Sequence, residues 1–137
     1  MRKGQQVATA TFPNRPGVYV VWEAGHDRPL YVGQAGSSAE IFALERATIA
    51  ELRPRLNVGG GERVTNGDAT IASRWQKQHL KPRAGSSALR RTLGPYLGLV
   101  ERKLSVRRDG RYYPADVEGA ITRFLEACSV EFRFVEA

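Results

Sequence analysis

The chain has 137 residues, 42% of them apolar and 26% charged. That is the length of one folded domain, and the composition excludes wholesale disorder. One cysteine, Cys128, excludes a disulfide framework and a cysteine-based zinc site. Lysine and arginine number 21 against 14 aspartates and glutamates, giving a net charge of +7 and a pI of 10.1, the balance of a domain that meets a polyanion.

No apolar run reaches the length of a membrane span, and the opening MRKGQQVATATFPNRPG lacks the apolar stretch of a secretory signal. The expected compartment is therefore a reducing cytoplasm. Residues 1–14 read as a loose arm. After Pro16-Gly17, the β-branched and aromatic run Val18–Trp22 predicts a strand. Gly25–Pro29 is a turn segment, and Leu30–Gly33 a second strand closing an antiparallel hairpin. Ser37-Ser38-Ala39-Glu40 opens a helix as a capping box, Ile41, Leu44, Thr48 and Leu52 recur at helical spacing, and Pro54 stops it.

Residues 58–68 read as a Gly-rich loop. A second helix is predicted over Ala69–Leu80. Ser87 caps a third that passes Leu89 and Leu93 and ends or kinks at Pro95. Residues 103–113 suggest a ragged strand pair. Asp116 is expected to cap a last helix carrying Val117, Ile121, Phe124 and Leu125, and the alternation through Val130, Phe132 and Phe134 predicts a late strand. The order predicts a small α/β domain: a short, mostly antiparallel sheet, hairpin plus late strand, flanked by helices.

Gly17-Val18-Tyr19 and Tyr31-Val32-Gly33 on the two hairpin strands resemble the paired signature of the GIY-YIG nuclease superfamily. Three further stretches are similar to patterns in that family. Ile71–Leu80 resembles its helix with an apolar residue three before an arginine and a histidine after it. Gly85–Gly94 resembles a stretch of small stand-alone bacterial members. Val117-Glu118 opens a helix like the one bearing the family's catalytic glutamate. Together they span roughly residues 16–135 as one domain.

The resemblance implies a metal-dependent endonuclease acting on DNA. Tyr19 and Tyr31 would converge on one water, one of them taking its proton. Because a free tyrosine has a pKa of about 10, that role needs nearby positive charge to lower it. Arg74 would bind the scissile phosphate, His79 assist proton transfer, and Glu118 hold one Mg²⁺ or Mn²⁺. Arg74 and His79 are five apart, about 140° on a straight α-helix, so Gln78 shares the face of Arg74 better.

In the family the arginine helix follows the second strand closely. Here residues 34–73 intervene, so 37–69 is read as an insertion. That insertion contains Glu45 through Asn57, which itself resembles a glutamate–proline–asparagine pattern of the family. Glu45 is therefore an alternative to Glu118, and Arg46 and Arg55 are alternatives to Arg74, with Asn57 beside them. Chain order and flanking patterns favour Glu118 and Arg74.

From Arg74 to Arg111 there are eleven lysines and arginines against two acids. Among them Lys77, Lys81, Arg83, Arg90 and Arg91 are the candidate phosphate contacts, supplying affinity without sequence information. Sequence preference would come from 37–69, from the loop around 82–88, or from a homodimer. A non-catalytic nucleic-acid-binding module on the same fold is the competing expectation.

Overall fold

The computed structural model describes residues 4–25, 28–56, 69–82, 87–101 and 113–135. Strands β1 (Gln5–Gln6), β2 (Gly17–Trp22), β3 (Pro29–Ala35) and β4 (Ser129–Arg133) form one antiparallel sheet in the order β1-β4-β2-β3. The helices are α1 (Ala39–Leu52), α2 (Ile71–Arg74) running into a π-wound turn over Trp75–His79, α3 (Ala88–Tyr96) and α4 (Ala115–Ala127). The domain is α/β, with the hairpin and the late strand in one sheet as the sequence predicted. No described helix is long and apolar enough to cross a membrane.

Both faces of the sheet are covered, making three layers. Central strand β2 is buried at every position, which is why it reads as an unbroken apolar run and not an alternation. On one face Val18, Val20, Trp22 and Val32 meet Ile41, Leu44, Ile49 and Leu52 of α1. On the other, Tyr19, Val21 and Val130 pack with Ile71, Trp75, Leu89, Leu93, Ile121 and Leu125. Helix α1, inside the segment read as an insertion, thus supplies one whole layer. Ser38 caps it by accepting from the Ile41 N–H, and Arg53 ends it in the left-handed region before Pro54. The N–H groups of Arg55 and Leu56 then bond to the carbonyls of Pro29 and Leu30.

Two local expectations are corrected. The described part of the arm, residues 4–14, is docked: β1 pairs with β4, Val7 is buried and donates its N–H to the Cys128 carbonyl, and Phe12 stacks on Trp75 at 5.2 Å. Aromatic and apolar burial outweighs the segment's weak strand propensity. Asp116 does not cap α4; Pro114 occupies that position, and Asp116 sits in the first turn, where its charge suits the helix dipole. The loop at 58–68 and most of the strand pair expected at 103–113 fall outside the described residues, and Tyr113, at its end, is not in a strand.

Candidate active site

Antiparallel register puts the two motif tyrosines on one face. Tyr19 lies opposite Gly33, and Tyr31 opposite Val21, with ring centroids 6.5 Å apart. Gly33 has a definite job. A Cβ there would overlap the ring and hydroxyl of Tyr19, so the glycine of the second motif makes the seat for the tyrosine of the first. We expect Gly33→Ala to destabilise the fold by about 1–3 kcal/mol, read from urea unfolding. An unchanged midpoint would mean the Tyr19 ring shifts aside freely.

The second motif region folds as a capped, then widened, helix. Thr70 and Ser73 form a reciprocal capping box at its start. Beyond Arg74 the winding loosens, with the Leu80 N–H reaching the Trp75 carbonyl five residues back. This changes the expectation for His79. On a straight helix it would point away from Arg74. The extra residue in the turn instead brings it onto the tyrosines, where Tyr19 Oη and His79 Nε2 are 2.5 Å apart. Trp75, fully buried, packs edge-on against both rings at 5.5 and 5.1 Å. Gln78 does share the Arg74 face and accepts from Arg74 Nη1 at 3.0 Å.

Arg74 itself is only 8% exposed, its Nε has no hydrogen-bond partner, and no carboxylate lies within ion-pair distance of it among the described residues. Buried charges are ordinarily paired. Arg74 sits close enough to lower the pKa of Tyr19, Tyr31 and His79 alike. For the tyrosines this pull loses. Burial first, then the neighbouring Tyr31, raises Tyr19 well above the usual value. Burial and then Glu45 push Tyr31 up to about 12. The expectation of a lowered tyrosine pKa is thus reversed: both phenols hold their protons in the resting protein.

His79 goes the other way. Burial, then Arg74 and Arg90, lowers it from 6.5 to about 3. The folded protein keeps it neutral while the unfolded chain protonates near 6.5, so the unfolded state binds the additional proton between those values. The stabilisation is present above 6.5 and is lost as pH falls from 6.5 toward 3. We expect wild-type stability to drop between pH 7 and 5 more steeply than that of His79→Gln, by up to about 1.4 kcal/mol per pH unit. Equal slopes in denaturant unfolding would show a protonated imidazole in the folded protein.

Glu118 and Arg90 are placed differently from their expected roles. Glu118 is 2% exposed and Arg90 fully buried, and they pair internally. Glu118 Oε1 accepts from Arg90 Nε and Nη2 at 3.1 and 2.8 Å, and Oε2 accepts from the Tyr113 N–H at 2.9 Å. Arg90 also donates to the carbonyls of His79 and Glu118 and to Thr122 Oγ1. A carboxylate with both oxygens engaged and a guanidinium neutralising it does not fit a hard divalent cation. Arg90, likewise, faces the interior and not a phosphate backbone.

Glu45, the sequence alternative, is the carboxylate whose charge reaches Tyr31 and Tyr19. It stands half-buried on α1 beside the edge strand β3. One such carboxylate fits Mg²⁺, which completes its shell with waters and substrate oxygens. No group of three or more metal-ligating side chains occurs among the described residues. Of the alternative arginines, Arg46 and Arg55 are exposed, and Asn57 lies outside the described residues.

Arg91 is mostly buried and close enough to lower the Tyr31 pKa. Lys77 and Lys81 are exposed on and after the π-wound turn, and Arg83 lies outside the described residues. Sequence reasoning gave Ser87 only a capping role, although its Oγ also lies 2.7 Å from His79 Nδ1. Nothing in a serine eight residues from a histidine signals that contact. Comparison of the chain with family models, with curated proteins and with solved structures gave no match in any of the three.

Proposed function

We propose that this chain is a small endonuclease that hydrolyses DNA phosphodiester bonds. The observation that supports this most is Arg74: a nearly buried guanidinium, without a carboxylate partner among the described residues, beside a tyrosine–histidine pair. Such a group is a receptor for a phosphate, whose oxygens match its fork. The resemblance of the hairpin to GIY-YIG nucleases and the net charge of +7 point the same way.

In this reading Arg74 holds the scissile phosphate, with Arg91 adding positive charge at Tyr31. A water between the tyrosines attacks phosphorus, and the bond to the leaving alkoxide breaks. Tyr19 takes a proton from that water as its own hydroxyl proton passes to His79 Nε2. The relay lets a phenol of raised pKa act as base without first becoming a phenolate, and the bound phosphate, by offsetting the Arg74 charge, removes part of what holds His79 low in the resting protein. The leaving alkoxide takes a proton from solvent; the imidazolium then gives its proton back to Tyr19, which releases one to solvent as product leaves, restoring the neutral pair. Tyr31 orients the water. Glu45 would hold a Mg²⁺ or Mn²⁺ ion, which supplies charge neutralisation at the phosphate when bound. Lys77, Lys81 and Arg83 contact flanking phosphates. The activity belongs in the cytoplasm, and a second copy of the chain would supply any symmetric recognition of the duplex.

Cleavage of supercoiled plasmid with Mg²⁺ tests this. Wild type should cut and Arg74→Ala and Glu45→Ala should not. If Glu45→Ala cuts normally, the metal carboxylate is elsewhere. A wild type that binds DNA with a steep salt dependence but never cuts is the non-catalytic module.

A further inference from the structure

Ser87 stands at the junction of two features, both of them buried. Its Oγ accepts the Arg90 N–H at 3.1 Å as the N-cap of α3, and the same atom lies 2.7 Å from His79 Nδ1. At the other side of the imidazole, Nε2 meets the Tyr19 hydroxyl at 2.5 Å. A neutral imidazole carries one ring hydrogen, so flanked by two hydroxyls it can donate to one and accept from the other. The phenol is the more acidic of the two and the better donor. Ser87 Oγ, already receiving one N–H, retains a second lone pair.

We infer that Ser87 is a positioning residue, which accepts the Nδ1–H of His79 and so fixes Nε2 as the acceptor of the Tyr19 hydroxyl. Arg90 completes the grip by donating to the His79 carbonyl at 3.0 Å. The imidazole is thus held at its backbone and at both ring nitrogens. The orientation of the serine is set by the helix it caps, so the start of α3 selects the tautomer. The opposite tautomer would put the Nε2 hydrogen against the phenol oxygen and leave no basic nitrogen for the Tyr19 proton. The geometry stands by itself, while its catalytic consequence rests on the nuclease reading above.

The test is a long-range proton–nitrogen NMR spectrum of ¹⁵N-histidine-labelled protein at pH 7, with His79 assigned by its loss in His79→Gln. Wild type should carry the ring hydrogen on Nδ1. Ser87→Gly, which keeps an acceptable N-cap, should give mixed tautomers and cut plasmid roughly tenfold more slowly. Ser87→Thr, with a hydroxyl in the same place, should restore both. A hydrogen on Nε2 in wild type overturns the inference. So does a Ser87→Gly protein with unchanged tautomer and rate, which makes the serine a cap only. If the tautomer follows Ser87 but even wild type leaves plasmid intact, the positioning is supported and the nuclease reading falls.

Discussion

Glu118→Ala is expected to lose about 3–5 kcal/mol of folding stability, because it strips the counterion from a fully buried guanidinium. The loss is spread over several contacts. Arg90 links the carboxylate and carbonyl of Glu118, Thr122 and the His79 carbonyl, so it ties α3, α4 and the π-wound turn together. The freed Tyr113 N–H adds an orphaned buried donor. Urea unfolding measures the difference. The companion variant Arg90→Met/Glu118→Leu should recover much of the loss, since apolar groups of similar volume often replace a buried pair without cost. If Glu118→Ala unfolds at the wild-type midpoint and cleavage alone disappears, the carboxylate has a chemical role and the structural account fails. Glu45→Ala should show the reverse pattern, an intact fold without cleavage.

Tyr19→Phe should cleave about 10²–10⁴-fold more slowly, the contribution of a positioned general base. The change removes one oxygen and leaves the ring on Gly33 and against Trp75. Its cost to the fold should be about 1–3 kcal/mol, from the Nε2 left without its donor. Circular dichroism, denaturant unfolding and the plasmid assay separate the two effects. Wild-type cleavage by a folded Tyr19→Phe protein would remove Tyr19 and His79 from the proton path.

The hairpin was legible because its signals are local. Strand residues, turn residues and the two motifs lie within residues 17–35, and one register pairs Gly17–Val21 with Tyr31–Ala35, shifting only at Trp22. Helices α1 and α3 were legible for the same reason, each announced by a serine cap. The docked arm was not, because Phe12 acquires meaning only when Trp75 arrives from 63 positions further along the chain. His79 was misjudged by assuming uniform α winding, which one wider turn invalidates. Glu118 and Arg90 illustrate a different limit. An acid in a helix's first turn and an arginine in a basic run look like surface residues until the fold closes them on each other. Pattern spacing favoured Glu118 over Glu45, whereas the burial of Glu118 and its pairing with Arg90 turn it inward.

The polar groups gathered at Tyr31 come from opposite sides of the sheet. Glu45 belongs to α1, which covers one face, whereas Arg74, Arg91 and His79 belong to the helices on the other. They meet around the strand β3 at the border of the sheet. Any ligand that engages both the acid and the arginines therefore bolts two outer layers together across a seam. By linkage, such a ligand at free concentration L opposes the parting of those layers by RT ln(1 + L/Kd) when the parted state does not bind it. Affinity and rigidity at this border are therefore coupled, and a substitution deep in the α1 interface, such as at Ile41, would alter how tightly such a ligand is held without touching it.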